Sequence, residues 1–336
     1  MPRCPQPLPP SLGDGFAVRA ALEAGVTPRR LRHSDLDAPF RGVRLIPSAS
    51  VITEPAALEA LELRSDHRRR AHAYAKIAPS HSFLSHVTAA VLWDLPLPIR
   101  VLRRPRGAEP SRREIDVAVF PPHRASKARG VRGRQLSPAL TRVCVREGLN
   151  VSTAATTWAQ LARELTVDEL IEVGDAIVRI PRRRGMLRGA ASDALGSLDD
   201  LTAAVAAGPR VGVAKLREAL PDIRVGSASP PETDLRLALQ RAGLPDPQLD
   251  FDVFSRDGRS IGFTELAYPE FRVLIEYEGD HHRTDPDQWH RDIEKHAACV
   301  AAGWDVVRLT ARHLYPSPKA AIGRVRAALI RGGWRP

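Results

Sequence analysis

T-E-L-A-Y-P-E-F-R-V-L-I-E-Y-E-G-D-H-H, residues Thr264 to His282, decides how the C-terminal third of this chain is read. Apolar and polar residues alternate over Ser260 to Tyr268 and again over Arg272 to Glu278, with Pro269 between them, so two strands joined by a turn are expected. Side chains alternate across a strand, which places Phe263, Glu265 and Ala267 on one face, and Glu276 and Glu278 on one face of the next strand. Carboxylates on apolar strands are costly to bury unless a cation compensates them, and a divalent metal is the usual compensator.

If the two strands pair, Glu265 and Glu276 come within reach of one hard cation. Mg²⁺, or Mn²⁺ in its place, suits such a site: it takes one or two carboxylates and fills the rest of its shell with water and substrate phosphate. A metal held this way lowers the pKa of a bound water and neutralises charge building on a phosphodiester. Glu232, from the preceding helix, is placed to add a direct or outer ligand, and His281 and His282, after the third strand, to relay a proton or orient water. Asp285, Gln288, Asp292 and Lys295 follow on a helix, the last three at spacings that share one face, and are expected to line the same cleft. A plainer reading makes each glutamate a solvated edge residue and the histidines loop polar groups. Against it, Glu276 sits in V-L-I-E-Y-E between residues that read as core.

Working outward, Ser229 precedes Pro230, Pro231 and Glu232, so a helix starts near Pro230 and is stopped by Gly243. Leu249 to Phe254 is the first strand, Asp257-Gly258 a turn, and the two strands above follow. A helix from Thr284 to Gly303, a strand in W-D-V-V-R-L-T and a last helix from about Pro318 to Arg331 complete the order αβββαβ plus one helix.

The chain is 336 residues long, 43% hydrophobic and carries a net charge of +11, enough for two or three domains with cores. Residues 230–336 hold 15 Lys+Arg against 16 Asp+Glu, net −1, which leaves 35 against 23, or +12, for residues 1–229. A basic body joined to a near-neutral acidic-site domain suggests that one part holds a polyanion while another acts on it, although a generally arginine-rich surface would look the same. No apolar run approaches the ~20 residues of a membrane helix. The start M-P-R-C-P-Q-P-L-P-P is too proline-rich for a signal peptide, and Cys4, Cys144 and Cys299 have no pairing pattern, so a cytoplasmic protein is expected, without a membrane partner.

In the N-terminal part, Val18, Ala21, Leu22 and Val26 mark a short amphipathic helix ending near Gly25. Thr27 is then placed to cap a second helix from Pro28 with Arg29, Arg30, Arg32 and His33 exposed. Helix, tight turn and basic helix is the helix-turn-helix plan for entering a DNA major groove, with F-R-G-V-R-L-I (residues 40–46) as the wing. Further on, residues 85–98 read as a helix stopped by Pro96 and Ile115 to Phe120 as a strand. A loop then carries Arg124, Lys127, Arg129, Arg132 and Arg134, suited to phosphate contacts or simply solvated. Helices are expected over 152–163 and 167–179; the tract P-R-R-R-G-M-L-R-G at 181–189 is a phosphate patch or a basic connector; and V-G-S-A-S-P-P at 225–231 is the best domain boundary.

These residues resemble the PD-(D/E)XK nucleases, whose core is αβββαβ with a metal-binding acid on the second strand and an acid-x-lysine on the third. More narrowly, residues 230–330 are similar to bacterial endonuclease-like domains related to very-short-patch repair nucleases, through P-E-T-x-L-R at 231–236, E-L-A-Y-P-E at 265–270, I-E-Y-E-G-D-H-H-R-T-D at 275–285 and Q-W-H-R-D-I at 288–293. The resemblance implies Glu265 and Glu276 as metal-binding acids, Glu232 as the helix acid and His282 as the histidine after the glycine. It also puts Glu278 where the superfamily has lysine, and leaves His282 to take over the water. Residues 10–180 resemble the winged-helix region of AbiEi-type antitoxins, through A-L-E-A-G-V-T-P-R-R-L-R, F-R-G-V-R-L-I, T-A-A-V-L-W-D-L-P-L-P and A-A-T-T-W-A-Q-L-A.

The expectation is an α/β multidomain protein: a winged helix-turn-helix at 10–47, an α+β middle domain at 48–224 and a restriction-endonuclease-like core with a mixed sheet at 230–332. It would be a Mg²⁺- or Mn²⁺-dependent DNA endonuclease, with Glu276, Glu278, His282 and Glu232 serving the chemistry and Glu265 and Glu276 the metal. Arg29, Arg30, Arg32, Arg129, Arg132 and Arg134 would contact DNA. The alternative is a non-catalytic antitoxin or regulator that keeps the nuclease fold as a scaffold. A homodimer on paired half-sites and a toxin or repair partner are open, and a carboxylate-pair sugar hydrolase is disfavoured by the 5% aromatic content.

Overall fold

The computed structural model describes residues 5–47, 57–103, 114–182, 190–278 and 286–336, without the side chains of residues 57, 58, 191 and 286–291. It is a mixed α/β protein that divides into two compact units, Met1–Leu170 with Asp199–Arg217, and Ile171–Leu198 with Glu218–Pro336.

The first unit opens with β1 (Gly15–Ala17), α1 (Val18–Glu23) and β2 (Val43–Leu45), the two strands pairing antiparallel. Phe16, Ala21, Val26, Leu31 and Leu36 form the local core, and Gly25 ends the helical segment with φ +82°. The second helix expected from Pro28 is absent here: Arg30–Arg32 is a single 3-10 turn. Thr27 Oγ1 does accept the Arg30 N–H at 3.3 Å, but Asp35 takes the Arg30 guanidinium through two contacts of 2.8 Å and His33 is already extended. One turn of this kind is short of the nucleus that an α-helix needs to propagate.

After α2 (Ala57–Ala75) come β3 (Ser82–Leu84), α3 (His86–Leu92), α4 (Ile99–Leu102), β4 (Ile115–Val119), β5 (Val131–Gln135), β6 (Val143–Arg146) and β7 (Leu149–Ser152). The strands form one mixed sheet in the order β5-β4-β3-β7-β6. Arg132 and Arg134 therefore lie on a strand rather than in the expected loop. Every residue of α3 is buried, and Leu84, Leu92, Ile115, Val117 and Val151 centre the core. The helices α5 (Ala154–Leu161) and α7 (Leu198–Ala206) follow; of α6 (Val167–Val178) the residues from Ile171 on, and of α8 (Val213–Ala219) those from Glu218 on, belong to the second unit.

The second unit carries α9 (Pro230–Arg241), β8 (Gln248–Phe254), β9 (Ser260–Tyr268), β10 (Val273–Glu278), α10 (Pro286–Ala301), β11 (Asp305–Thr310), α11 (Ala311–Leu314) and α12 (Lys319–Arg331). The αβββαβ order and the start of α9 at Pro230 agree with the sequence pattern. Four strands pair in the order β11-β10-β9-β8, with β10 and β11 parallel and the other pairs antiparallel. One face of the sheet, with Leu266, Tyr268, Val273, Ile275, Val307 and Leu309, packs with residues of α9 and α12. The other, with Val253, Ala267 and Leu274, packs with Cys299 and Ala302 at the end of α10. Burial on both faces is what makes the β10 sequence an almost continuous apolar run.

The stretch 225–231, read as a domain boundary, falls inside this unit. Buried Asp175 explains the grouping: it accepts the Arg224 N–H at 2.7 Å, the Thr233 hydroxyl at 2.8 Å and Arg236 Nη2 at 2.8 Å, tying α6 to α9 and the strand-less segment before it. Burial raises the Asp175 carboxyl pKa even against the Arg236 charge. No helix among the described residues is long and apolar enough to cross a membrane.

Candidate metal centre

Glu265 and Glu276 occupy the two central strands of the four-stranded sheet. The register pairs Tyr268 with Val273, Ala267 with Leu274 and Leu266 with Ile275; Glu265 and Glu276 are the next residues along each strand, where the paired ladder has ended. At that step side chains replace the backbone ladder: Tyr277 N–H donates to Glu265 Oε2 at 2.7 Å and Thr264 Oγ1 donates to the Ile275 carbonyl at 3.0 Å. Glu265, Glu276 and Glu278 are each half-buried.

The carboxylates strain one another electrostatically. Burial pushes the Glu265 carboxyl up to about 8, repulsion by Glu232 and Glu276 adds to it, and the Tyr277 N–H and the Lys295 ammonium only partly oppose it. Glu232 is therefore close enough to act on Glu265, as the helix acid of the expected site. Its own carboxylate, however, is buried and accepts the Ala228 N–H at 2.7 Å and the Ser229 hydroxyl at 2.9 Å, closing the N-terminal turn of α9. Burial raises its pKa too, against those two donors.

Lys295 of α10 reaches Glu276 Oε1 in an ion pair whose side chains are 28% and 23% exposed, and its ammonium lies 5.7 Å from the centre of the Phe263 ring. The other side of the Phe263 environment is set by Arg182, whose guanidinium is 4.2 Å from the same ring centre. Arg182 also holds Asp250 at 2.5 Å and Asp252 at 2.7 Å. Glu278 pairs with Arg308 of β11. His281, His282 and Asp285 lie outside the described residues, as does the side chain of Gln288.

Two carboxylates across a strand pair, with too little positive charge to ionise Glu265 at neutral pH, are a donor set that fits a hydrated Mg²⁺ or Mn²⁺. Among the described residues no three His, Cys, Asp or Glu side chains are grouped as a full ligand set, so water and a phosphate oxygen would have to complete the shell. Glu265 and Glu276 are the residues that would hold the ion.

The six arginines expected at DNA divide into two kinds. Arg29, Arg32, Arg129 and Arg132 are exposed, Arg132 lying 3.6 Å from Glu164. Arg30 and Arg134 are engaged within the fold: Arg30, 10% exposed, is taken by Asp35 and the Gln6 carbonyl, and Arg134 pairs at 3.2 Å with the fully buried Asp116. The arginine Arg182, read as part of a basic patch or connector, is turned inward onto the sheet. Nothing in the sequence marks it, because its partners stand 68 and 70 residues away.

The chain is similar to two proteins of Mycobacterium tuberculosis, Uncharacterized protein MT2308 of strain CDC 1551 and Uncharacterized protein Rv2248 of strain H37Rv, each 25% identical over 185 residues. The match takes in 55% of this chain and 62% of each relative, so the chain spans less than two thirds of their length. No protein-family profile matches, and no solved structure does.

Proposed function

We propose that this protein is a cytoplasmic DNA-binding protein whose second unit is a metal-dependent, restriction-endonuclease-like domain hydrolysing phosphodiester bonds in DNA. The single observation that carries the reading is that Glu265 of β9 and Glu276 of β10, on the two central strands of a four-stranded mixed sheet built in the order αβββαβ, are close enough to repel one another. Bound Mg²⁺ or Mn²⁺ would supply a Lewis acid for the phosphate and an acidified water. The chain does the rest: Glu265 and Glu276 hold the ion, Glu232 fixes the start of α9 beside them, and His282 serves the attacking water or the leaving oxygen. Arg29 and Arg32 on their exposed turn, with Arg129 before β5 and Arg132 on it, contact phosphates of DNA.

A non-catalytic AbiEi-type regulator is the second reading, favoured by one observation: Glu278 stands in the lysine position and is neutralised by Arg308. One experiment separates the two. Wild-type and Glu276→Ala protein are incubated with supercoiled, linear and mismatched DNA, with and without Mg²⁺ or Mn²⁺. Metal-dependent nicking that the substitution abolishes supports the nuclease; DNA that is shifted in a gel but never cut supports the regulator; neither binding nor cutting at low salt, where phosphate contacts are strongest, sinks both.

A further inference from the structure

We propose that the cavity beside α9 walled by Arg224, Arg236 and Asp246 is a binding site for a small aliphatic α-amino acid, held as its zwitterion. The site lies wholly within the second unit and does not rest on the nuclease reading. Its volume is about 180 Å³, equal to about six waters at ~30 Å³ each, which gives room for an amino acid of valine or leucine size. Arg236 of α9 is the residue that points to a ligand. Its side chain is 4% exposed and lines the cavity, yet Asp175 takes one prong of its fork, Nη2 at 2.8 Å, and the buried Nε has no acceptor among the described residues. A buried donor left without an acceptor costs free energy that a bound acceptor recovers.

The charges on the wall select the ligand. Arg236 is balanced by Asp175, so the lining is left with one positive charge, Arg224, and one negative, Asp246. Arg224 is fixed without being neutralised: its Nη1 donates to the Pro221 and Ile223 carbonyls at 2.6 and 3.1 Å. A bare anion would meet Asp246, and a bare amine would meet two guanidinium groups. A zwitterion answers both, its carboxylate accepting from Arg224 and Arg236 and its ammonium donating to Asp246. Val225, Pro247 and Leu249 give the rest of the lining an apolar surface for an aliphatic side chain, and Leu249 packs on the core that α9 shares with the sheet. The charged residues come from the segment before α9, from α9 itself and from the stretch between α9 and β8, so a ligand joining them ties the helix to the chain on either side.

The test titrates the full chain with L-valine and L-leucine by calorimetry and follows the thermal midpoint. Three partial ligands run beside them: isovalerate, which lacks the ammonium, isobutylamine, which lacks the carboxylate, and inorganic phosphate. At least one of the amino acids is expected to bind with a Kd below about 1 mM and to raise the midpoint. Each partial ligand should bind at least about tenfold more weakly, because it leaves a charged partner unanswered. Arg224→Gln and Asp246→Asn, which leave the Asp175–Arg236 pair intact, should each weaken amino-acid binding at least about tenfold without lowering the midpoint of the ligand-free protein. Asp246 is exposed, so its variant decides the matter if Arg224→Gln does not fold. Failure of both amino acids to bind at about 10 mM overturns the site. Phosphate or isovalerate binding as tightly as the amino acids overturns the zwitterion assignment, and amino-acid binding that both variants retain places the ligand elsewhere and overturns this cavity as its site.

Discussion

The Glu265 carboxylate accepts the backbone N–H of Tyr277 at 2.7 Å, twelve residues along the chain, so this side chain lies over the third strand instead of pointing into solvent. That contact holds Glu265 close to Glu276 at the middle of the sheet, where burial and the neighbouring carboxylates work against the ionisation of Glu265. The consequences of holding like charges this way are measurable.

The first is a pH dependence of stability. An unfolded glutamate ionises near its ordinary value of 4.5, whereas folded Glu265 keeps its proton up to about 8. Between those values the folded state binds more protons, so the stabilisation present below about pH 4.5 is lost as pH rises through about 8, with a slope of at most about 1.4 kcal/mol per pH unit. Glu265→Gln should flatten the metal-free curve in this window, read by urea denaturation from about pH 5 to pH 8. An unchanged slope would remove Glu265 as its source.

Metal binding should carry the opposite dependence. A cation must displace the proton of Glu265, so the apparent affinity for Mn²⁺ is expected to rise up to about tenfold per pH unit until roughly pH 8 and then level. Calorimetry in buffers of different ionisation enthalpy would count the released proton. Affinity that ignores pH, with no proton released, would place the metal elsewhere.

Buried Asp175 and Arg236 give a third expectation. Asp175→Ala leaves Arg236, 4% exposed, without its carboxylate, which should cost about 3–5 kcal/mol in urea denaturation. By the same reasoning a fragment of residues 171–336 should unfold cooperatively, while one of residues 230–336, which lacks Asp175, should be much less stable. Equal midpoints for the two fragments would contradict this.

The arginines can be sorted by salt. Removing an exposed phosphate-contacting arginine lowers the slope of log affinity against log salt by about 0.9, so Arg29→Ala with Arg32→Ala should lose nearly two units of slope in DNA titrations. Arg30→Ala should leave the slope almost unchanged and lower the thermal midpoint instead, because its guanidinium belongs to Asp35. A slope loss for Arg30 as large as for the exposed pair would reverse the assignment.

The local pattern of this chain determined the elements around the candidate site. Alternation with Pro269 between strands predicts β9 and β10, the Ser-Pro-Pro-Glu start predicts α9, and strand periodicity puts Glu265 with Phe263 and Ala267 on one face and Glu276 with Glu278 on one face of the next strand. Such features are short-range: a strand repeats every two residues and a cap acts within one turn. The same local logic failed at Pro28: Thr27 Oγ1 accepts the Arg30 N–H, but the segment makes only a 3-10 turn, and Asp35, five residues beyond Arg30, pairs with the arginine.

What only the tertiary structure decided are the pairings across long stretches of chain. Lys295 meets Glu276, Arg308 fills the charge beside Glu278, Arg182 crosses to Asp250 and Asp252, and Asp175 ties α6 to α9. Each is an ion pair between residues with no periodic relation, chosen by which backbones the packed core brings together and by the cost of leaving a buried charge alone. The sequence alone could name the glutamates; which cation answers each of them is a property of the folded sheet and its helices.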